Sequence, residues 1–512
     1  MHLARIDWII IAVYLAGCMT AGIWMRRFVR GVEDFAVAGR AMDLNLGIAS
    51  LAATELGLVT VMYTAQLGFT HGFAGAAVGV LMATAMYLVG RTGFVIGPLR
   101  RAGVMTIPEL FQKRFGTRVR WLAGLFVALG GILNMGIFLR LGGEFLVAAT
   151  GMPVRWLEWV MTALLGMILL YTVLGGMLSV LVTDYLQFIV KGLGIVVTSV
   201  LVISKLGWHN LVTGQWLCWD GSMAGVGQTL HAHPFNPFRS FGWGYIAWQL
   251  IFQISVVTTW QTQVSRVLSA RDETTAKRMY RRTAFYFVGR FGLPGLWGVA
   301  ALVYFSQHGG LPAELQALPA DISSLRATPA YLGILLPTGF IGLLLAAALA
   351  AEMSTDSGYL LTWATVIYND LISPCVKRPL SPPARLFITR ALVLMIGLFL
   401  LGYGLWYKMP GNVWDYLAVT GNIYIASVFT LLVAGLYWPR ANATGASAAL
   451  VLGAIGPITF LIVNARVPEA HRISPEIAGS SSFALAFAGM IIGSLLSGRQ
   501  AEAKITSPEV AA

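Results

Sequence analysis

Apolar stretches about 20 residues long recur from Trp8 to Leu496, and the polar segments between them are short. A helix of about 20 apolar residues is long enough to cross the hydrocarbon core of a bilayer. The pattern therefore predicts an all-α integral membrane protein with about 13 transmembrane helices. The predicted spans are residues 7–25, 44–69, 74–98, 121–149, 155–174, 180–204, 241–262, 284–305, 333–367, 386–407, 413–437, 444–464 and 481–498.

Composition supports the membrane assignment and leaves little room for a soluble domain. Of the 512 residues, 57% are hydrophobic and 11% are charged, whereas soluble domains carry about 25% charged residues. The mean hydropathy is +0.73. We therefore expect one membrane domain whose main partner is the lipid bilayer.

The net charge of +13 would suggest a nucleic-acid partner in a soluble chain, but in a membrane protein the position of each cation matters more. With the N-terminus outside, the predicted cytoplasmic segments hold about 23 Lys and Arg and the external segments about 8. This bias predicts an external N-terminus, a cytoplasmic C-terminus and no nucleic-acid partner. Four further cations lie within or at the edge of spans: Arg91, Arg140, Lys191 and Arg290.

The ninth span carries a concentration of polar side chains at Ala346–Tyr359. Glu352 and Asp356 are one helical turn apart and would repel each other if both were ionised. An ionised group near the bilayer midplane costs roughly 3 kcal/mol, so a bound cation or a proton would relieve the pair. On a helix the polar positions share an arc of about 200°, with Met353 and Ser357 opposite. Alternatively, the hydroxyls only bond to carbonyls one turn earlier, which leaves the carboxylates unexplained.

The second span is too polar for a helix that faces lipid. Its polar or flexible residues are Ser50, Thr54, Glu55, Gly57, Thr60, Tyr63, Thr64, Gln66 and Gly68. We expect this span to be buried among other helices. The sequence Glu55-Leu-Gly57 favours an unwound backbone there, since non-helical backbone at membrane depth needs protein or water to satisfy it. A regular buried helix with a hydrogen-bonded Glu55 is the alternative.

Three other polar features of the spans have simple interpretations. Arg140 and Glu144, one turn apart, favour a salt bridge over a binding site for a substrate anion. The pair Gly175-Gly176 permits a sharp reversal of the chain with positive φ. Asp184 and Gln187 then lie one turn apart near the mouth of the next helix, where they are expected to line an inner vestibule.

Histidine and cysteine give little indication of metal binding. The segment 206–240 is predicted to be an external loop, and its pair His231-Ala-His233 has no third ligand nearby in sequence, which favours interfacial packing. The three cysteines, Cys18, Cys218 and Cys375, are far apart and indicate neither a disulfide framework nor a metal site. We expect no structural metal.

Four stretches resemble motifs of the sodium/solute symporter family, which includes sodium-coupled carriers of sugars, proline, pantothenate and iodide. They are Ala38-Gly-Arg40 leading into Ser50-Leu-Ala-Ala53-Thr-Glu55; Pro108-Glu-Leu-Phe-Gln-Lys-Arg-Phe-Gly116; Tyr171-Thr-x-x-Gly-Gly-x-x-Ser179 with Thr183, Asp184 and Gln187; and Ala350-Ala351-x-Met353-Ser354-Thr355. The third stretch is specific at that spacing. With the number of spans, the resemblance covers nearly the whole chain.

The resemblance implies a core of the leucine-transporter type, with two inverted repeats of five helices that each open with a broken helix. Spans two to six would form one repeat and spans seven to eleven the other. The polar second and seventh spans then correspond, as expected for a binding site between repeats. The implied segments are 1–43, a peripheral helix and cytoplasmic loop; 44–205, the first repeat; 206–240, an extracellular loop; 241–437, the second repeat; 438–498, two peripheral helices; and 499–512, a disordered cytoplasmic tail.

The resemblance also implies a sodium site between the second and ninth spans. Its ligands would be the carbonyls of Ala53, Leu56 and Ala351 and the hydroxyls of Ser354 and Thr355. A hard cation such as Na⁺ prefers oxygen ligands, and unwound carbonyls can supply part of the shell.

Two further residues receive roles by resemblance. Asp184 is similar to the family's carboxylate on the ion release path. Arg40 matches a functional arginine at the cytoplasmic end of the loop before the broken helix.

Several positions depart from the family's pattern. Glu55 stands where sugar carriers tend to have a neutral residue, and Glu352 and Asp356 stand where the family is usually apolar. The sequence Trp260-Gln-Thr262 lacks the aromatic pattern of sugar carriers, so the motif does not support a sugar substrate. The extra acids leave open a second cation, a proton or a cationic substrate. The candidate positions for substrate or a second cation are Glu55, Thr60, Trp260, Gln261, Glu352 and Asp356.

We therefore expect a secondary active transporter of the bacterial inner membrane that carries a small polar organic solute inward by alternating access. Sodium is the expected coupling ion, and neither an obligate protein partner nor enzymatic activity is expected. One alternative is a proton-coupled transporter with Glu352 and Asp356 as the relay, and another is a membrane sensor that binds solute without net transport. An intramembrane enzyme is disfavoured because all seven histidines fall at or outside span ends.

Overall fold

The computed structural model describes residues 3–25, 27, 42–219, 232–376, 380–407, 412–468 and 471–497. The predictions for Arg40, His231 and the tail 499–512 lie outside these residues. Both halves of each predicted broken helix lie within them.

The described residues fold almost entirely into α-helices, as the apolar pattern predicts. They contain no β-strand, and one isolated bridge joins Met42 to Ala270. The first helices are α1 (Arg5–Met25), α2 (Leu44–Glu55), α3 (Leu58–His71), α4 (Ala77–Thr92), α5 (Ile96–Arg101), α6 (Ile107–Phe115), α7 (Thr117–Met135), α8 (Phe138–Thr150), α9 (Leu157–Leu206) and α10 (Trp208–Trp219). They are followed by α11 (Pro237–Phe241), α12 (Trp243–Thr259), α13 (Gln261–Ser269), α14 (Glu273–Gln307), α15 (Ala313–Gln316), α16 (Ala320–Leu335), α17 (Phe340–Val366), α18 (Pro382–Trp406), α19 (Val413–Asn422), α20 (Ile425–Tyr437), α21 (Ala443–Gly453), α22 (Ile455–Asn464) and α23 (Pro475–Leu496).

Helices occupy every predicted span, while the number of spans stays a prediction. Within the described ranges, nine helical stretches are long and apolar enough to cross a membrane, and the bent pair of α19 and α20 would make ten. One of the nine, Val154–Leu206, contains predicted spans five and six, and another, Leu58–Thr92, joins half of span two to span three. These helices establish a multi-pass membrane architecture. They establish neither the predicted number of about 13 transmembrane helices nor the predicted orientation of the termini.

Spans two and seven are each broken in the middle, and both breaks fall in the polar segments noted in the sequence. Between α2 and α3, Leu56 leaves the helical region with φ −98° and ψ 72°. Between α12 and α13, Trp260 has φ −62° and ψ 109°. Non-helical backbone of this kind leaves carbonyl groups free to bind side chains or ions. The unwinding predicted at Glu55-Leu-Gly57 is therefore confirmed.

The long helix α9 contains the reversal predicted between spans five and six. Gly176 has φ 53° and ψ −147°, a conformation that L side chains rarely adopt. The positive φ predicted for the pair Gly175-Gly176 is thus present at its second member.

α17 lies at the centre of the helix packing, with α9 along its length and α2, α8 and α1 against other faces. Almost every residue of α17 is buried, including Met353 and Ser357, which are 0% exposed. The polar arc predicted for this helix therefore does not separate a protein-facing side from a lipid-facing side. Hydroxyls and carboxyls on all sides of α17 meet protein.

The predicted external loop 206–240 contains helical structure that the sequence analysis missed. α10 continues directly after α9 and packs against α14. Buried Leu211 and Cys218 lie on its inner side, and this short apolar face is what a search for spans of about 20 residues overlooks.

Candidate ion and substrate site

The five predicted sodium ligands come together where the break after α2 meets α17. We call the carbonyl oxygens of Ala53, Leu56 and Ala351 and the hydroxyls of Ser354 and Thr355 the α2/α17 cradle. The hydroxyl of Ser354 lies 3.1 Å from the carbonyl oxygens of both Ala53 and Ala351. The Thr355 hydroxyl donates a hydrogen bond of 2.8 Å to the carbonyl of neighbouring Thr54. The cradle thus joins the two helices through buried oxygen atoms.

A lysine side chain occupies this cradle. Lys191 of α9 is 0% exposed. Its ammonium donates to the carbonyl of Ala53, to the carbonyl of Leu56 at 3.2 Å and to Ser354 Oγ at 2.7 Å. An ammonium has three N–H donors, and all three have acceptors here. Three of the five predicted sodium ligands therefore bind a cation that belongs to the chain itself, and their role as sodium ligands stays a prediction.

Asp184, two turns before Lys191 on α9, is fully buried rather than open to a vestibule. Its Oδ2 accepts hydrogen bonds from Ser50 at 2.8 Å and from Thr54 at 3.2 Å. Arg266 Nη2 lies 3.7 Å from the same oxygen. The prediction that Asp184 lines an open vestibule is wrong for this conformation, because α2 and Arg266 cover its carboxylate. Its place on an ion release path stays a prediction.

A cavity lies between the two broken helices, with about 520 Å³ of empty space including its open mouth. The part of this space that compares with the roughly 300 to 1,000 Å³ of small-molecule sites is only about 70 Å³, so the cavity is small in this conformation. Glu55 at the first break and Trp260 at the second both line it. The other lining residues are Val59, Thr60, Tyr63, Met82, Asn134, Phe138, Phe252, Val256, Arg290, Tyr359, Trp414, Leu417, Ala418 and Ile425. The cavity therefore touches both breaks at once.

Glu55 is the centre of the polar side of the cavity. Its carboxylate accepts hydrogen bonds from Thr262 at 3.2 Å and from Gln263 at 2.9 Å, both on α13. Arg290 of α14 lies 3.5 Å from Glu55 Oε2 and also donates to Thr60 Oγ1 at 3.2 Å. The carboxylate is thus satisfied without a bound ion, and it links the first broken helix to the second.

Aromatic rings form the apolar side of the cavity. Trp260 donates from its indole nitrogen to Tyr359 OH at 2.9 Å and stacks on Tyr424 with an interplanar angle of 20°. Tyr63 and Trp414 face each other with ring centroids 5.0 Å apart. A solute in this cavity would meet charged and hydroxyl groups on one side and aromatic faces on the other.

Three candidate substrate positions lie elsewhere. Gln261 points away from the cavity residues and accepts a hydrogen bond from the backbone N–H of Ile107 at 3.3 Å. Glu352 and Asp356 are each 1% exposed and do not line the cavity. Glu352 packs on Gly142 of α8. Glu352 Oε1 and both carboxylate oxygens of Asp356 have no hydrogen-bond partner among the residues that the structure describes, so these acids form a separate buried pair whose role is untested.

Other polar groups have structural partners. Arg140 Nη2 lies 3.5 Å from Glu144 Oε1, which confirms the predicted salt bridge, and Arg326 also binds Glu144. His233 packs against the rings of Trp216 and Trp219. Across the part of the chain that the structure describes, no three His, Cys, Asp or Glu side chains are grouped to hold a metal ion.

Sequence analysis noticed Lys191 and Arg290 only as cations within spans and gave neither a partner. Arg266 and Tyr63 were also missed as members of the site. A signal for the two cations was present, because a charge inside a span needs acceptors. Their acceptors are backbone carbonyls, hydroxyls and a carboxylate on other helices, which no local spacing reveals.

Comparison with known proteins gives matches along most of the chain. The sodium:solute symporter family model matches residues 35–453. Sodium/glucose cotransporter 4 of Danio rerio is 27% identical over 490 residues, which cover 89% of this chain and 72% of that protein. The sodium/glucose cotransporter of Vibrio parahaemolyticus is 26% identical over 495 residues, which cover 90% of this chain and 85% of that protein.

Solved structures show the same fold. A substrate-bound, outward-open structure of a Na⁺-coupled sialic acid symporter matches with a TM-score of 0.78 at 20% identity and covers 98% of this chain and 99% of that chain. A closed structure of Mhp1, a nucleobase-cation-symport-1 family transporter, matches with a TM-score of 0.54 at 12% identity and covers 90% and 95% of the two chains. The helical architecture described above is thus shared with known transporters.

Proposed function

Because this chain belongs to the sodium:solute symporter family, we propose that it is a secondary active transporter that carries a small polar organic solute into the cell with sodium by alternating access. The observation that carries the proposal is the cavity between the two helix breaks, which Glu55 and Trp260 line together. A site at the breaks can open to either side when the broken helices change their packing. The proposal places the protein in the bacterial inner membrane and assigns it no enzymatic activity.

The lining of the cavity supports a solute with both polar and flat apolar parts. The ion pair between Glu55 and Arg290, at 3.5 Å, presents both signs of charge. Trp260, Tyr359 and Trp414 offer aromatic faces nearby. Small-molecule sites commonly combine an apolar wall with a few placed polar groups. Thr60 and Glu55 remain our candidate substrate contacts, together with Trp260.

Sodium coupling is supported by the family and by the oxygen-rich α2/α17 cradle, and we retain Ala53, Leu56, Ala351, Ser354 and Thr355 as candidate ligands. Lys191 now holds three of these residues. Sodium can therefore use the full set only when the lysine ammonium has left it.

The first experiment identifies a solute. Sugars, amino acids, carboxylates and polyamines are screened for a rise in the apparent melting temperature of the purified protein, with and without sodium. A ligand that binds only the folded state raises this temperature.

The second experiment measures uptake of that solute by proteoliposomes. We expect faster uptake with an inward sodium gradient than with the same concentration of choline. A proton gradient without sodium tests the proton-coupled alternative, which the unpartnered oxygens of Glu352 and Asp356 keep open. Equal uptake with and without the sodium gradient would remove sodium coupling, and absence of uptake under every gradient would refute transport.

A further inference from the structure

The α2/α17 cradle already contains a cation that is part of the chain. The Lys191 ammonium is 0% exposed and makes three hydrogen bonds, to two carbonyl oxygens and one hydroxyl. These acceptors are uncharged, and the carbonyls are freed by the break after α2. An ammonium and a sodium ion prefer the same ligands, namely partly negative oxygen atoms arranged around a small positive centre.

Lys191 needs the cradle because no carboxylate pairs with it. Among the described residues, no Asp or Glu oxygen lies within ion-pair distance of its ammonium, while Glu55 pairs with Arg290 and Asp184 lies near Arg266. A buried charge without a counter-ion requires strong hydrogen-bond acceptors. The cradle oxygens supply them, as they would for a bound ion.

A sodium ion and the lysine ammonium cannot occupy the cradle together. Two unit charges about 4 Å apart, at an effective dielectric constant of about 20, repel strongly enough to weaken binding roughly a thousand-fold. They would also compete for the carbonyls of Ala53 and Leu56. Occupation by one cation therefore excludes the other.

We propose that Lys191 is a tethered cation that takes the place of sodium in the α2/α17 cradle. This inference rests on the proposed transport function and concerns which cation holds α2 against α17. One ammonium joins two carbonyl oxygens of the break after α2 to the Ser354 hydroxyl of α17, so Lys191 holds the two helices together without a bound metal ion.

Removal of the lysine side chain would make the cradle accessible to sodium, because the oxygen atoms of Ala53, Leu56 and Ser354 would then be free to bind the ion. The charged or titratable groups of the elements around this part of α9 are Asp184 on α9, Glu55 on α2, Glu352 and Asp356 on α17, Arg266 on α13, Arg290 on α14, and Tyr14 and Cys18 on α1.

The test measures equilibrium binding of radioactive sodium to the purified protein at neutral pH, with ionic strength held constant by choline. The variants are Lys191→Ala, Ser354→Ala, the double variant, and Lys205→Ala as a matched control. Lys205 is on the same helix but exposed. We expect Lys191→Ala to gain a saturable site at least about tenfold tighter than any Ser354-sensitive site of the wild type, and Ser354→Ala to remove it again. Lys205→Ala should behave like the wild type.

Two results would overturn the proposal. One is wild-type protein that binds sodium at neutral pH through a site that Ser354→Ala removes and that is as tight as the site in Lys191→Ala. The other is a folded Lys191→Ala variant, with the elution profile of the wild type, that gains no sodium site. Wild-type sodium binding that Ser354→Ala leaves unchanged would place that sodium outside the cradle, in agreement with the proposal.

If Lys191→Ala does not fold, Lys191→Gln, which keeps hydrogen-bond donors but carries no charge, is measured in the same way. Ser354-sensitive sodium binding in Lys191→Gln that the wild type lacks supports a cradle filled by the lysine ammonium. Equally tight Ser354-sensitive binding in the wild type, or no such binding in folded Lys191→Gln, contradicts it. Because the probe is sodium itself, these outcomes do not depend on the solute, and a failure of solute uptake would refute transport while leaving them unchanged.

Discussion

At the scale of single residues, the charged side of the cavity depends on Glu55. Its carboxylate accepts hydrogen bonds from Thr262 and Gln263 of α13 and forms an ion pair with Arg290 of α14. The side chains of Glu55 and Arg290 are 3% and 6% exposed. Breaking a buried pair by removing one charge is costly, because the other charge remains buried and unpaired.

We therefore predict that Glu55→Gln lowers the stability of the folded protein by about 3 to 5 kcal/mol and strongly reduces solute uptake. The double variant Glu55→Gln with Arg290→Gln should recover part of the stability, since no lone charge remains. The measurement is unfolding of the purified protein, followed by uptake.

Arg101→Ala is the matched control for this prediction. It removes an ion pair with Glu273 in which the two side chains are 57% and 23% exposed, and such pairs contribute about 0 to 1 kcal/mol. If the control variant and Glu55→Gln were equally destabilised, the buried pair would not have the special role assigned to it.

For each important contact, the sequence identified the polar residue on one helix but not its partner on another helix. Glu55, Ser354 and Thr355 stood out because polar groups in apolar spans are conspicuous. Lys191 and Arg290 were equally conspicuous, but their acceptors are far away along the chain, 135 residues in the case of Leu56 and Lys191. Backbone carbonyls also carry no sequence signal, so the occupant of the cradle was not predictable.

At the scale of helices, the close approach of α17 to the break after α2 depends on Gly57. A Cβ atom at this position would lie 2.6 Å from Thr355 Oγ1 and 3.0 Å from Thr355 Cβ. Real Cβ contacts are not that short, so a larger residue would push the two helices apart. Overpacking in a well-packed interior typically costs about 1 to 3 kcal/mol.

Gly57→Ala is accordingly expected to lower stability by about 1 to 3 kcal/mol and to weaken any sodium binding in the cradle. Gly166→Ala on α9 is the control, because a Cβ there has no atom within 4 Å. Thr355→Ala makes room for the new methyl group, so the double variant Gly57→Ala with Thr355→Ala should lose less than the sum of the single variants. Additive losses, measured by unfolding of the purified proteins, would count against the steric explanation.

Among the elements, the breaks were more predictable than the short helices. Glu55-Leu-Gly57 indicated non-helical backbone, and the family resemblance implied a second break in the seventh span; α2/α3 and α12/α13 break at these places. The reversal at Gly176 was predictable from two adjacent glycines. α10 was missed because its length and apolar face are those of a small packed helix rather than of a span.

At the scale of the whole molecule, the multi-pass helical architecture and the family were predictable from apolar periodicity and four motifs, and both are confirmed. Periodicity measures length and apolarity, so it places helices well. It does not say on which side of the membrane each connection lies. That information comes only from the distribution of Lys and Arg, which the helix packing does not test.

The orientation can be tested with cysteines that the chain already offers. Cys375 is exposed, whereas Cys18 and Cys218 are buried, so a membrane-impermeant maleimide should react mainly at Cys375. With an external N-terminus, Cys375 follows the ninth span and lies in the cytoplasm, and we expect labelling in inside-out vesicles but not in intact cells. In a Cys375→Ser background, Glu314→Cys, at an exposed position before α16, should label from outside. The reverse pattern would invert the topology, and labelling of both positions from one side would contradict the single predicted span, 333–367, between them.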